Sequence, residues 1–244
     1  MRVHACVPKR YYGMQARIPL KNKHLMSKYN FIVIEGNIGA GKTTLATRIA
    51  GQYNAKLILE QFADNPFLPK FYENPSKYAF PLELSFLAER YQQLKDELSK
   101  QDLFKSFTIS DYLFTKSLIF AKANLQQDEF ALFSKLFDII NSLLPKPELL
   151  VYLHLDIDRL KDNIKLRGRE YEQRIKKEYL MKIQAGYLDF IKQQNDMRIL
   201  IIDLNDVDFI NDMEYYESII DVINRDYEVG INRVILDKKK ASLL

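Results

Sequence analysis

Residues 31–44 read Phe-Ile-Val-Ile-Glu-Gly-Asn-Ile-Gly-Ala-Gly-Lys-Thr-Thr. An apolar run that predicts a strand passes into the pattern G-x-x-x-x-G-K-S/T at Gly36–Thr43, and a helix-forming segment over 42–52 follows. Phosphate oxygens need several converging N–H donors. Glycines let the backbone curl around an anion without Cβ clashes, and the helix N-terminus adds positive potential. Gly36, Asn37, Ile38, Gly39, Ala40, Gly41, Lys42, Thr43 and Thr44 therefore form a candidate cradle for the phosphates of ATP or GTP. Lys42 would reach the β- and γ-phosphates and Thr43 would ligate Mg²⁺.

Outward from this stretch, short apolar runs alternate with longer amphipathic ones, the pattern of βα units around a parallel sheet. Strands are expected at 31–35, 56–59, 106–110, 149–155 and 199–203. Helices are expected at about 42–52, 79–100, 112–124, 128–144, 157–166, 174–194 and 211–224. The fold class is thus α/β: a three-layer P-loop fold with a five-stranded parallel sheet flanked by helices, and an arginine-rich lid.

With 47% hydrophobic and 28% charged residues, the chain has ample material for a core and is not a disordered or collagen-like sequence. Its one cysteine, Cys6, cannot form an internal disulfide or a CxxC metal site, and His4, His24 and His154 are too scattered for a His-rich zinc centre. No apolar run is long enough to cross a bilayer, so no membrane partner is expected, and a cytoplasmic location is the default. Residues 1–28 carry Arg2, Lys9, Arg10, Arg17, Lys21, Lys23 and Lys28 with no acid. They read as a disordered basic extension, while the remainder has a slight acidic excess unsuited to nucleic acid. A P-loop unit is expected over 29–225, followed by a solvated tail over 226–244 that contains Lys238, Lys239 and Lys240.

Four further places carry candidate chemistry. Glu60 closes the second expected strand, and in open α/β sheets the carboxyl ends of strands line the ligand crevice. It could take the proton of an attacking hydroxyl or simply cap a helix. Asp111 repeats the placement after the third strand, as a Mg²⁺ carboxylate or as a helix N-cap. Glu83 and Arg90 lie seven apart in a mostly apolar helix whose first turn holds Pro81. They would share a face about 10 Å apart along the axis, spaced for a planar ligand, or would belong to an ordinary surface stripe. Arg167 and Arg169 flank Gly168 between two helices, as guanidinium forks of a mobile lid over phosphoryl oxygens or as a charged surface turn.

Together these pieces resemble the deoxynucleoside kinase family from about Phe31 to Ile223. The landmarks are Glu-Gly-Asn-Ile-Gly-Ala-Gly-Lys-Thr-Thr at 35–44, Glu60, Asn65-Pro66-Phe67, and Tyr72 eleven residues before Glu83. Arg-Gly-Arg-Glu-Tyr-Glu-Gln at 167–173 and Asp206, Asp208 and Phe209 follow. The resemblance implies ATP-dependent phosphorylation of a deoxyribonucleoside 5′-hydroxyl, with Glu60 as general base and Asp111 assisting Mg²⁺. It implies that Tyr72 and Glu172 hold the sugar 3′-hydroxyl, and that Arg167 and Arg169 grip phosphates. Glu83 and Arg90 fall on the helix that reads the base, Asp208 and Phe209 on the loop that contacts adenine. A homodimer is implied as well.

Two departures stand out. Relatives usually carry Asp/Glu-Arg-Ser after the third strand, whereas this chain has Asp111-Tyr112-Leu113, so either Arg169, Arg174 or Arg90 compensates or transfer is slow. Many relatives place Gln where this chain has Glu83, and a further acid on the base side is replaced by Ser117. An ionised carboxylate only accepts hydrogen bonds, which suits the adjacent N1–H and N2–H of guanine and gives a lean toward deoxyguanosine. The alternatives are a thymidylate-type nucleoside monophosphate kinase, which would need a cationic site for the acceptor phosphate, and a non-catalytic P-loop ATP-binding switch.

Overall fold

A computed structural model describes residues 28–61, 65–100 and 102–236; the expected extension over 1–28 lies almost wholly outside the described residues. The chain runs β1 (Phe31–Gly36), α1 (Lys42–Tyr53), β2 (Lys56–Ile58), α2 (Leu68–Glu73), α3 (Pro75–Leu98), β3 (Thr108–Ser110), α4 (Lys116–Asn124) and α5 (Gln127–Asn141). It continues through β4 (Leu149–His154), α6 (Ile157–Arg167), a 3₁₀ turn (Glu170–Arg174), α7 (Lys177–Gln193), β5 (Arg198–Asp203), α8 (Met213–Ile223) and β6 (Gly230–Ile235).

The sheet is fully parallel in the order β2-β3-β1-β4-β5-β6. It has six strands, not the five expected. The sixth lies in the stretch read as a solvated tail, whose Lys238–Lys240 fall outside the described residues. Gly230-Ile-Asn-Arg-Val-Ile alternates half-buried and exposed positions, as an edge strand does, and so lacks the continuous apolar run that marked its neighbours. Val234 packs against the core while Ile231 and Ile235 face out.

The inner strands bury both faces. Ile32 and Ile34 of β1, Val151 and Leu153 of β4, and Leu200 and Ile202 of β5 join Leu45 and Ile49 of α1 and Tyr216, Ile219 and Ile220 of α8 in one core layer. The alternate residues Val33, Leu150, Tyr152, Ile199 and Ile201 meet Ile183, Tyr187 and Ile191 of α7 in the other. A smaller core under α3, α4 and α5 holds Ile58, Leu87, Tyr112, Phe133 and Phe137. Tyr112, at the position where an arginine was expected, is therefore a fully buried core residue whose hydroxyl donates to Gln93 at 2.8 Å.

Two helix starts differ from expectation. Helix α3 begins at Pro75 because the Asn74 side chain accepts from Lys77 N–H, which places Pro81 inside the helix rather than in its first turn. Helix α4 begins at Lys116, after tight turns in which Lys116 and Ser117 N–H donate to the carbonyls of Leu113 and Phe114. The short α2 and the 3₁₀ turn have too few residues for a periodic signal, and both were unforeseen.

Candidate active site

The order of strands sets the site. From β1 the chain crosses to β2 and β3 on one side, and from β3 it passes over β1 to β4 on the other, so the crevice beyond the carboxyl end of β1 is a topological switch point. The glycine loop opens there. Gly39 and Gly41 have φ of 86° and 84°, and a Cβ would come within 2.8 Å of the Leu160 carbonyl at Gly39 and 2.9 Å of the Phe209 ring at Gly41. Side chains are excluded at both, so the loop can wrap tightly; within it the Gly36 N–H donates to the Glu35 carboxylate, the Ile38 N–H to Asn37 Oδ1 and the Ala40 N–H to the Asn37 carbonyl. Lys42 Nζ donates to the carbonyls of Gly36 and Asn37 at 2.9 and 3.0 Å. Burial, aided by nearby Lys116, lowers its pKa to about 8.

Thr43 Oγ1 donates to Asp111 Oδ2 at 2.5 Å, and Asp111 Oδ1 accepts from Glu60 N–H at 2.8 Å. Asp111 thus faces the cradle, and α4 starts five residues later, so it is not an N-cap. A threonine hydroxyl beside one carboxylate oxygen, next to a phosphate cradle, is an all-oxygen donor set that fits a hard divalent cation such as Mg²⁺.

The Glu60 carboxylate points into the same cavity, its side chain 11% exposed. Oε1 accepts from Arg90 Nε at 3.0 Å and Nη2 at 2.7 Å, and Oε2 accepts from Lys116 Nζ at 2.5 Å. Burial raises this carboxyl, but Lys116 and Arg90 outweigh it and hold it at about 2. Arg90 Nη1 donates to Ser117 Oγ at 2.9 Å. Arg90, expected on the helix that reads the base, lines this cavity and donates to Glu60 and Ser117; of the three arginines offered as substitutes for the absent one, it is the one on Glu60. Lys116, which sequence reasoning missed, joins it there. The available signal was a lysine five residues past the acid, in a helix that starts later than its apolar pattern suggests.

Glu83 and Arg90 are 2% and 4% exposed, so the surface-stripe reading fails. Glu83 Oε1 accepts from Asn124 Nδ2 at 2.6 Å while Oε2 is buried with no hydrogen-bond partner. Burial pushes the carboxyl up to about 7, against the pull of Arg90 and Asn124. Asn124 was also missed, since an asparagine at a helix end reads as an ordinary cap. Tyr72 lies on the cavity wall, its ring stacked on Tyr171 with centroids 5.7 Å apart. Arg167 and Arg169 both bind the buried Glu172, Arg169 Nη1 to Oε1 at 3.1 Å. Through Glu172 the 3₁₀ turn is drawn to the cavity that Lys42, Glu60, Glu83 and Asp111 also line.

Asp208 and Phe209 sit on the far side of the glycine loop. Asp208 accepts from the N–H groups of Ile210 and Asn211 and from Asn211 Nδ2, hydrogen bonds that lower its pKa. Phe209 is buried against Gly41, and its carbonyl accepts from Arg48 Nη1 at 2.7 Å. Arg48 in turn lies 3.7 Å over the Tyr216 ring. Among the described residues no helix is long and apolar enough to cross a membrane.

The model of one family, described as deoxynucleoside kinase, matches residues 32–227. A deoxyguanosine kinase of Bacillus subtilis (strain 168) is 36% identical over 199 residues, covering 80% of this chain and 96% of its own length. A deoxyadenosine/deoxycytidine kinase of the same organism is 28% identical and covers 82% and 94%. The solved structure of a deoxyadenosine kinase from M. mycoides with bound dATP superposes with a TM-score of 0.69 at 24% identity, covering 80% of this chain and all of its own.

Proposed function

Because the chain belongs to the deoxynucleoside kinase family, and is thereby a phosphotransferase, we propose that it carries the γ-phosphoryl of ATP to the 5′-hydroxyl of a purine deoxyribonucleoside, with deoxyguanosine preferred. The observation that carries the reading is the convergence of Lys42, Thr43, Glu60 and Asp111 on one cavity that also holds Glu83 with a buried, unpartnered oxygen.

In this reading the loop Gly36–Thr44 wraps the phosphates, and Lys42 exchanges its two carbonyl partners for phosphate oxygens. Thr43 and Asp111 would hold Mg²⁺, which when bound neutralises charge on the β- and γ-oxygens. Glu60 accepts the 5′-hydroxyl proton. A carboxylate held near 2 is a weak base, so its main contribution is to aim the hydroxyl at phosphorus, the proton passing late in a loose transition state. Tyr72 and Glu172 hold the 3′-hydroxyl. Arg167 and Arg169 form the lid that meets the phosphates and excludes water. Asp208 and Phe209 border the adenine of ATP. The 36% identity to a deoxyguanosine kinase supports the base preference. So does Glu83, whose free Oε2 needs a donor; guanine supplies N1–H and N2–H side by side. A homodimer belongs to the proposal, supported by the exposed apolar side chains of Leu132 and Ile139 on α5 and of Leu143 just after it.

The test mixes protein, Mg-ATP and each deoxynucleoside separately and measures ADP and monophosphate. Nucleoside-dependent ADP, highest with deoxyguanosine, is expected, and Glu60→Gln should lower kcat by about 10²–10⁴-fold. ADP release indifferent to nucleoside would instead identify a switch, and a response to monophosphates alone would identify the thymidylate-type reaction.

A further inference from the structure

Lys116 is the first residue of α4 and is 7% exposed. Its ammonium sits between two groups of the site. It donates to Glu60 Oε2 at 2.5 Å, lies 5.6 Å from the Phe120 ring centroid, and lines the cavity with Lys42, Thr43 and Asp111. The neighbouring cation is differently placed: Arg90 spends Nε and Nη2 on Glu60 Oε1 and Nη1 on Ser117. Among the described residues the Lys116 ammonium has a single oxygen acceptor, Glu60, and an ammonium carries three donors. Buried donors without acceptors are costly, so this group is built to receive oxygens from a ligand. The acceptor-rich group that both Glu60 and the glycine loop face is the phosphoryl in transit.

We infer that Lys116 is a catalytic residue of the phosphoryl transfer, holding Glu60 in the free enzyme and turning its remaining donors onto the oxygens of the transferring phosphoryl group. The inference rests on the kinase reading of the site given above. In the step itself the bond from the γ-phosphorus to the β,γ-bridging oxygen breaks, its electron pair leaving with ADP. The bond from the 5′-oxygen to phosphorus forms, and the hydroxyl proton passes to Glu60 Oε2. Lys116 neither gains nor loses a proton; it offsets charge on the equatorial oxygens, as preorganised cations do in a water-poor site. A flexible four-carbon stem suits a group that serves two partners in turn, where the rigid fork of Arg90 suits one that stays. This also accounts for Tyr112. With the cation supplied from the first residue of α4, the position next to Asp111 is free to fill the core.

The test compares wild type, Lys116→Met, Lys116→Gln and Lys116→Arg for kcat, both KM values, and affinity for ADP with and without fluoroaluminate plus deoxynucleoside, a planar mimic of the phosphoryl. Lys116→Met should lower kcat by about 10²–10³-fold with both KM values within about threefold. Its affinity for ADP alone should hold, the extra tightness conferred by fluoroaluminate should vanish, and Lys116→Arg should recover at least about tenfold of the lost rate. If Lys116→Met does not fold, Lys116→Gln, which can still donate to Glu60, is read in the same way. A variant without the charge that keeps kcat within about threefold, or that binds the fluoroaluminate complex as tightly as wild type, overturns the inference while leaving the kinase reading intact. A wild type that makes no ADP with any deoxynucleoside overturns both.

Discussion

Glu83 shows how much one atom can decide. Its Oε1 is held by Asn124 and its Oε2 is buried without a hydrogen-bond partner, so the protein buries a carboxyl that ionises only near pH 7. A carboxyl with a raised folded-state pKa contributes stability that is fully present below its ordinary value of 4.5 and lost as pH rises through 7. Glu83→Gln removes that dependence. The variant should therefore gain stability over wild type at pH 8, by up to about 3 kcal/mol, and little at pH 4.5, as urea denaturation at the two pH values would measure. On the proposed deoxyguanosine preference, selectivity should move toward deoxyadenosine, because an amide donates as well as accepts where the carboxylate ionised against guanine only accepts; an unchanged ratio of kcat/KM would remove Glu83 from the base-reading role. The residue scale was also where sequence reading did best and worst. The cradle at 36–44, Glu60, Asp111 and Glu83 were legible because a strand end or a charged residue in an apolar helix is itself an anomaly. Lys116 and Asn124 were not, since a lysine or asparagine near a helix end is common, and only packing brings them onto Glu60 and Glu83.

Among the elements, α3 carries most of the acceptor side. It runs from Pro75 to Leu98 with Pro81 in its second turn, two residues before Glu83. That proline has no N–H for the Lys77 carbonyl and its ring crowds the preceding turn, a local cost set against the placement of Glu83. Pro81→Ala is expected to raise the free energy of unfolding by on the order of 1–3 kcal/mol, read as a higher denaturation midpoint, while lowering kcat/KM for the nucleoside more than that for ATP. A rise in stability with nucleoside kinetics untouched would show that the proline does not position Glu83. Helix patterns predicted most of these elements, but not where α3 and α4 begin. Those starts are fixed by the Asn74 side chain on Lys77 N–H and by turn bonds at Leu113 and Phe114, contacts too local to leave a periodic trace. The edge strand β6 escaped because half of its side chains face water.

For the molecule as a whole, both layers of the sheet are filled with apolar side chains, and the ionic groups collect at one end of β1. There Glu60, Arg90, Lys116, Lys42 and Asp111 crowd a cavity beside an unmatched Glu83 oxygen, an arrangement more suited to a ligand than to an empty fold. A ligand that binds the native state adds stability in proportion to the logarithm of its concentration over its Kd. Deoxyguanosine at 100 times its Kd should thus add about 2.7 kcal/mol and lengthen the half-life under limited proteolysis, and no change in digestion rate would show that the cavity is not a weak point. The atom left unmatched in Glu83 then reaches beyond recognition into survival. In a cell that degrades what it finds unfolded, copies of this chain would persist when their nucleoside is plentiful and be cleared when it is scarce, so that supply would set abundance with no dedicated regulator.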